Sequence, residues 1–291
     1  MVADGVLDID MATPQLQFES DVRGRIYRYV ERHGSATREE VRDAVRVSES
    51  AESKPARSGT EPSVRLPVEE FNGHVAALTD SGHLTERDGR LSVEPDAETE
   101  SHETDEFEYE VRPAREDDRR AVADLIRDVA DEGAIVVDER VAEAIEQDGA
   151  LIRRNERESR MVFVAEKVEG DEANKDDERD GQNREIVGWV QLQGFELPAR
   201  DHTVELTVGV APEYREQGVG GTLLECGMAW ADDGDYLKVY QSLPATNEEA
   251  LDMLDEHGWT REATRADHYK VDDELVDEVQ MAKRLDGDGA R

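Results

Sequence analysis

One stretch constrains this chain more than any other. Thr203-Val204-Glu205-Leu206-Thr207-Val208-Gly209-Val210 alternates, then runs without a break into Ala211-Pro212-Glu213-Tyr214-Arg215-Glu216-Gln217-Gly218-Val219-Gly220-Gly221-Thr222. The alternation predicts a strand with residues 204, 206, 208 and 210 on one face, and Gly220 to Asp232 reads as a helix. A strand, a glycine-rich turn and a helix start in that order make an anion site. First-turn N–H groups have no partner inside the helix, and the helix dipole favours negative charge there. Glycine admits φ > 0 and lets phosphate oxygens approach the backbone, and Arg215 adds a forked cation at the rim. A P-loop would need Gly-Lys-Ser/Thr after the second glycine, and the dinucleotide fingerprint a small residue where Leu223 stands, so both fail on spacing.

With Val210-Ala211-Pro212 before it, Arg215-x-x-Gly218-x-Gly220 resembles the pyrophosphate-binding motif of the GNAT superfamily of acetyltransferases. Downstream, Asn247-Glu248-Glu249-Ala250 and His257-Gly258-Trp259 are similar to that family's Asn-x-x-Ala…Gly-aromatic segment. The resemblance covers about residues 108–285. It implies an α/β (α+β) fold, a mixed sheet with flanking helices. It also implies acetyl-CoA as co-substrate, with its pyrophosphate on Arg215 and the N–H groups of Gln217, Gly218, Val219, Gly220, Gly221 and Thr222. The pantetheine arm would run along Val208, Gly209 and Val210, and Asn247 would be a further contact. The implied reaction is direct attack by an amine on the thioester in a ternary complex, with Glu205 as general base. The usual Tyr acid of the family is replaced by Leu254. Tyr240 or Tyr269 could substitute for it, though each is expected rather to be a strand aromatic in the core, and His257 a helix-end residue.

The element rhythm fits. Strands are expected at 108–113, 161–168, 186–196, 203–210, 236–243, 261–271 and 276–285, with helices at 117–132, 139–147, 220–232 and 248–257. Polar residues 169–185 read as a loop insertion. Leu223, Cys226, Gly227 and Trp230 share a helix face, so Cys226 reads as a buried thiol rather than a nucleophile.

Upstream, three helices and a hairpin resemble a winged helix over 21–93. Val22, Ile26, Tyr29, Val30 and His33 fall on one face of the first helix. Thr37-Arg38-Glu39-Glu40 is a capping box opening the second. Pro67 would start the third, with Val68, Phe71, Val75 and Leu78 inward. Asp88-Gly89 would turn a hairpin. Residues 48–63 read as a flexible insertion, 94–107 as an acidic linker, and 1–20 and 286–291 as terminal extensions.

The chain has 72 acidic and 35 basic side chains, a formal net of -37. Only six of the basic residues are Lys. Acid spread through the whole chain, helices included, is expected of a cytoplasmic protein working in molar salt, where the Debye length falls to about 3 Å. Residues 21–90 hold 12 basic and 13 acidic residues, a near-neutral patch that would suit phosphate contact. Against DNA, the third helix carries Glu69, Glu70 and Asp80 and no cation, so a protein or ligand contact is the expectation there. One Cys excludes a disulfide within the chain. No apolar run spans a bilayer, and His202 and His268 lack metal-ligand spacing, so neither membrane nor metal is expected. The partner is an amine-bearing acceptor. The alternative is an acyl-CoA-sensing transcriptional regulator with a weak GNAT domain.

Overall fold

The computed structural model describes residues 18–48, 63–95, 97–131, 142, 145, 150–155, 158–168, 185–194, 197–271 and 273–285. The first module opens with helix α1 (Asp21–His33), whose N-cap Ser20 accepts the Arg23 N–H. Strand β1 (Ser35–Thr37) leads into α2 (Arg38–Ala44) through the expected capping box of Thr37 and Glu40. Strands β2 (Arg46–Ser48) and β3 (Ser63–Arg65) pair antiparallel and precede α3 (Val68–Asp80). Then β4 (Leu84–Arg87) and β5 (Arg90–Val93) form a hairpin, with Asp88 at φ 51 and Gly89 at φ 74 as a two-residue left-handed turn demands. The sheet order is β1-β5-β4.

Three expectations change here. Ser48 and Ser63 belong to paired strands, so only 49–62 of the expected insertion lies outside the described residues. Pro67 is the N-cap of α3 rather than its first residue, because its φ of -53 is paired with an extended ψ of 144. On α1 the buried aromatic is Tyr27, not Tyr29; Tyr29 stacks on His33 at the rim. The reason is tertiary. Tyr27 donates its hydroxyl to the carbonyl of Arg154 in the second module (3.0 Å), and Glu31, 4% exposed, accepts from Asn155 Nδ2 (2.8 Å) beside Arg153.

The second module is a nine-stranded sheet in the order β13-β14-β12-β11-β10-β9-β7-β6, with β8 (Arg153–Arg154) paired beside β9. Its strands are β6 (Glu100–Glu103), β7 (Glu108–Pro113), β9 (Ser159–Lys167), β10 (Ile186–Gly194), β11 (Thr203–Val210), β12 (Lys238–Pro244), β13 (Thr260–Val271) and β14 (Glu274–Arg284). Strand β6 corrects the linker at 94–107. Backbone pairing needs no apolar side chain, so an acidic segment adds an edge strand and leaves its carboxylates in solvent.

Helix α4 (Arg119–Asp131) buries Val122, Ile126 and Val129 against Val162, Val164 and Trp189 on one face of the sheet. Helix α5 (Val219–Asp233) covers the other, where Gly227 lets it approach Leu206, Val190 and Leu192. Helix α6 (Glu248–Glu256) follows β12. Of the helix expected at 139–147 and the loop at 169–185, the described residues include only Ala142, Ile145 and Glu185. A buried Arg112 on β7 ties the layers together, bonded to Asp118 (2.6 and 2.9 Å) and Glu166 (2.5 Å). Among the described residues no helix is long and apolar enough to cross a membrane.

Candidate active site

Every neighbouring strand pair in the large sheet is antiparallel except β11 and β12. Those two run parallel in register over Thr203↔Lys238, Val204↔Val239 and Glu205↔Tyr240. Beyond that point they splay, and a cleft of about 380 Å³ opens between them. Val208, Val210 and Leu243 line its apolar wall, and Arg215, Gly218, Gly220 and Gly221 its far end.

The far end is the turn from β11 into α5. Glu216 (φ 59) and Gly218 (φ 86) both take left-handed conformations, which turns the chain sharply into α5. Gly218 provides no side-chain cap, so first-turn N–H groups point at the cleft without an internal acceptor. Arg215 is oriented by an Nε–H bond to the Val210 carbonyl (3.1 Å). The loop is propped from behind: Tyr109 donates to the Thr222 hydroxyl (2.9 Å), and Tyr214 lies between Lys167 and Glu185.

Of the residues expected to hold the cofactor, Val208, Gly209, Val210, Arg215, Gly218, Gly220, Gly221 and Asn247 line the cleft. Val219, Thr222 and Gln217 are not in its lining, although the expectation concerned their backbone N–H groups. Val219 packs in the core at the start of α5. Thr222 spends its N–H on the Gly218 carbonyl (3.1 Å), as the first helical bond requires. Gln217 leans its amide towards Glu106 (3.4 Å). Asn247 lines the cleft, yet its Oδ1 caps α6 by accepting the Ala250 N–H (3.0 Å). His257 also lines the cleft; its Nδ1 meets the Met253 carbonyl (2.7 Å).

Glu205 sits where the parallel pairing ends. It is half-buried, and desolvation raises its pKa above the ordinary carboxylate range, while Tyr240 and Arg200 oppose the shift. Tyr240 donates to Glu205 Oε2 (3.5 Å) and accepts from Arg200 Nη2 (2.7 Å). The expectation of Tyr240 as a plain core aromatic is therefore corrected: its ring is buried, but its hydroxyl joins the candidate base. Tyr269 is partly buried and bonds Glu278. Leu254 is wholly in the core. Burial pushes the Cys226 thiol up to about 12, so it is no nucleophile at neutral pH. Among the described residues no three His, Cys, Asp or Glu side chains could jointly hold a metal ion.

Gln241 on β12 lines the cleft and was not legible as a site residue. Its only sequence signal is a polar residue amid Val239, Tyr240 and Leu243, which any strand edge shows.

Comparison with known proteins agrees with this geometry. Residues 138–259 match the model of the acetyltransferase (GNAT) family. A structure from Acinetobacter baylyi ADP1 described as an acetyltransferase has a TM-score of 0.51 at 17% identity, over 62% of this chain and 93% of its own. The yncA structure from Salmonella typhimurium, described as an acetyltransferase with its cofactor acetyl-CoA, scores 0.49 at 17% identity, over 62% of this chain and 96% of its own. A ribosomal-protein-alanine N-acetyltransferase from Brucella melitensis scores 0.45 at 23% identity, over 60% and 99%. No curated protein matched. The second module has the GNAT fold, a mixed sheet with helices on both faces.

Proposed function

We propose that the chain is an acetyl-CoA-dependent N-acetyltransferase that acts on an amine in a ternary complex. One observation carries the reading: the splay of β11 from β12 leads to an uncapped α5 N-terminus with Arg215 at its rim, a cleft built for an acyl chain ending in a pyrophosphate. Acetyl-CoA fits this donor set as substrate. Its pyrophosphate meets the first-turn N–H groups from Gly218 to Gly221, and its arm lies against Val208 to Val210. The amine enters on the Glu205 side of the sheet. An ammonium cannot attack, so its proton passes to Glu205, whose carboxylate burial makes more basic than an exposed one. The amine nitrogen then bonds to the acetyl carbon and the C–S bond breaks, and the second proton, shed by the nitrogen as the amide forms, passes through water to the leaving CoA thiolate, because Leu254 has none to give.

Calorimetry with acetyl-CoA in molar KCl, followed by thiol release against a panel of amines, tests the reading. Absence of binding would end it. The base assignment predicts that Glu205→Gln removes the acid limb of the kcat/KM profile, where activity rises with pH as Glu205 ionises. An unchanged profile would refute it.

We read the first module as winged-helix-like, from three helices with a terminal hairpin. Its α1 face is taken up by the second module, and α3 shows Glu69 and Glu70 to solvent. Both facts favour a protein-contacting module over a DNA reader. A bound acyl-CoA with no turnover on any amine would favour the sensor alternative. The composition, with acids spread along the whole chain, fits a salt-rich cytoplasm.

A further inference from the structure

Gln241 is 5% exposed, and its Oε1 has no hydrogen-bond partner among the described residues. Buried side-chain acceptors are nearly always satisfied, and leaving one bare costs about 1–3 kcal/mol. Gln241 lies one residue past the last parallel pair of β11 and β12, in the wall of the cleft with Val208, Val210 and Leu243. An apolar residue of the same length would suit those neighbours without that cost. The side chain that stands there instead is an amide, and its carbonyl oxygen calls for an N–H or O–H donor.

We propose that Gln241 is a cofactor-binding residue that accepts a hydrogen bond from an amide N–H of the pantetheine arm. This rests on the reading of the cleft as an acetyl-CoA site. The arm is otherwise flexible, and its amides are the donors that reach the segment between the Arg215 loop and Glu205. A bond to Gln241 fixes the arm's depth, and with it the distance from the thioester to Glu205. The nucleotide end of the ligand lies beyond its reach, against the α5 N-terminus.

The test compares acetyl-CoA with adenosine 3′-phosphate 5′-diphosphate, which keeps all three phosphates but lacks the arm. Binding of each is measured by calorimetry to the full chain and to Gln241→Met and Gln241→Leu, two apolar variants that differ in shape. Acetyl-CoA affinity should fall about tenfold in both, or roughly 1.4 kcal/mol, while adenosine 3′-phosphate 5′-diphosphate binds as before. Without ligand, the Met variant should melt no lower than the parent, since it loses an unsatisfied acceptor. Unchanged acetyl-CoA affinity, or equal loss for both ligands, overturns the proposal. If acetyl-CoA does not bind the parent chain at all, the reading of the cleft fails first and takes this assignment with it.

Discussion

At the scale of single residues, two positions trade stability for geometry. Glu216 holds φ 59 at the entry to α5. A side chain in the left-handed region costs roughly 1–2 kcal/mol, part of which glycine returns as chain entropy. Glu216→Gly should therefore stabilise the fold by about 1 kcal/mol, read as a higher Tm. Glu205 is the second. Its pKa is raised in the fold by burial, so folding favours the protonated form. The stability it contributes is full below the ordinary Glu pKa and is lost as pH rises through the raised value. Glu205→Gln should consequently raise Tm at neutral pH, with the gain vanishing in acid. A constant gain at every pH would contradict desolvation as the cause. The sequence showed Glu205 on the polar face of its strand, but not its environment. Tyr240 is 35 residues away in sequence and meets it only through the parallel register.

At the scale of elements, the seams carry buried charge. Arg112 joins β7 to β9 and to the turn before α4 through Asp118 and Glu166. Removing one partner of a buried ion set leaves the others uncompensated, at about 3–5 kcal/mol. Arg112→Ala should lower the denaturant midpoint accordingly. Between the modules, Glu31 meets Arg153 and Asn155 next to β8. Glu31→Ala should cost about 1–3 kcal/mol and make the first module melt separately; a single unbroken transition would show that the seam holds without it. Local signals found the elements well. The capping box, the Asp88-Gly89 turn and the strand at 203–210 stand where the pattern placed them. Strand β6 was missed because an edge strand held by backbone bonds alone has no apolar signature.

At the scale of the molecule, a net of -37 would face the polyanionic ligand proposed for the cleft. Glu216, Glu249 and Glu256 line the same cleft as Arg215 and His257. A phosphomonoester alone brings about -1.5 to -2 charges. Salt should screen the distant carboxylates, with a Debye length near 10 Å at 0.1 M and about 3 Å at 1 M, more than it weakens contact bonds to Arg215 and the backbone. Acetyl-CoA affinity should therefore rise from about 0.2 M to about 2 M KCl, measured by calorimetry where circular dichroism shows the chain folded. This is opposite to ordinary phosphate binding, which weakens with salt. Affinity falling with salt would show that the rim acids do not govern the site.

The sequence by itself determined the strand-turn-helix segment on which the proposed phosphate site rests, because its ingredients lie within one short segment: glycines for backbone approach, Arg215 for charge and a helix start. It determined the order of the strands and helices from β9 onward for the same reason, since periodicity is local. What pairs across the sheet was decided only in three dimensions. The splay of β11 from β12 makes the cleft, and it alone places Gln241 in the wall with Val208. The packing of α1 on β8 alone makes Tyr27 and Glu31 interior. A side chain's partner depends on chain closure over dozens of residues, and no spacing rule encodes that.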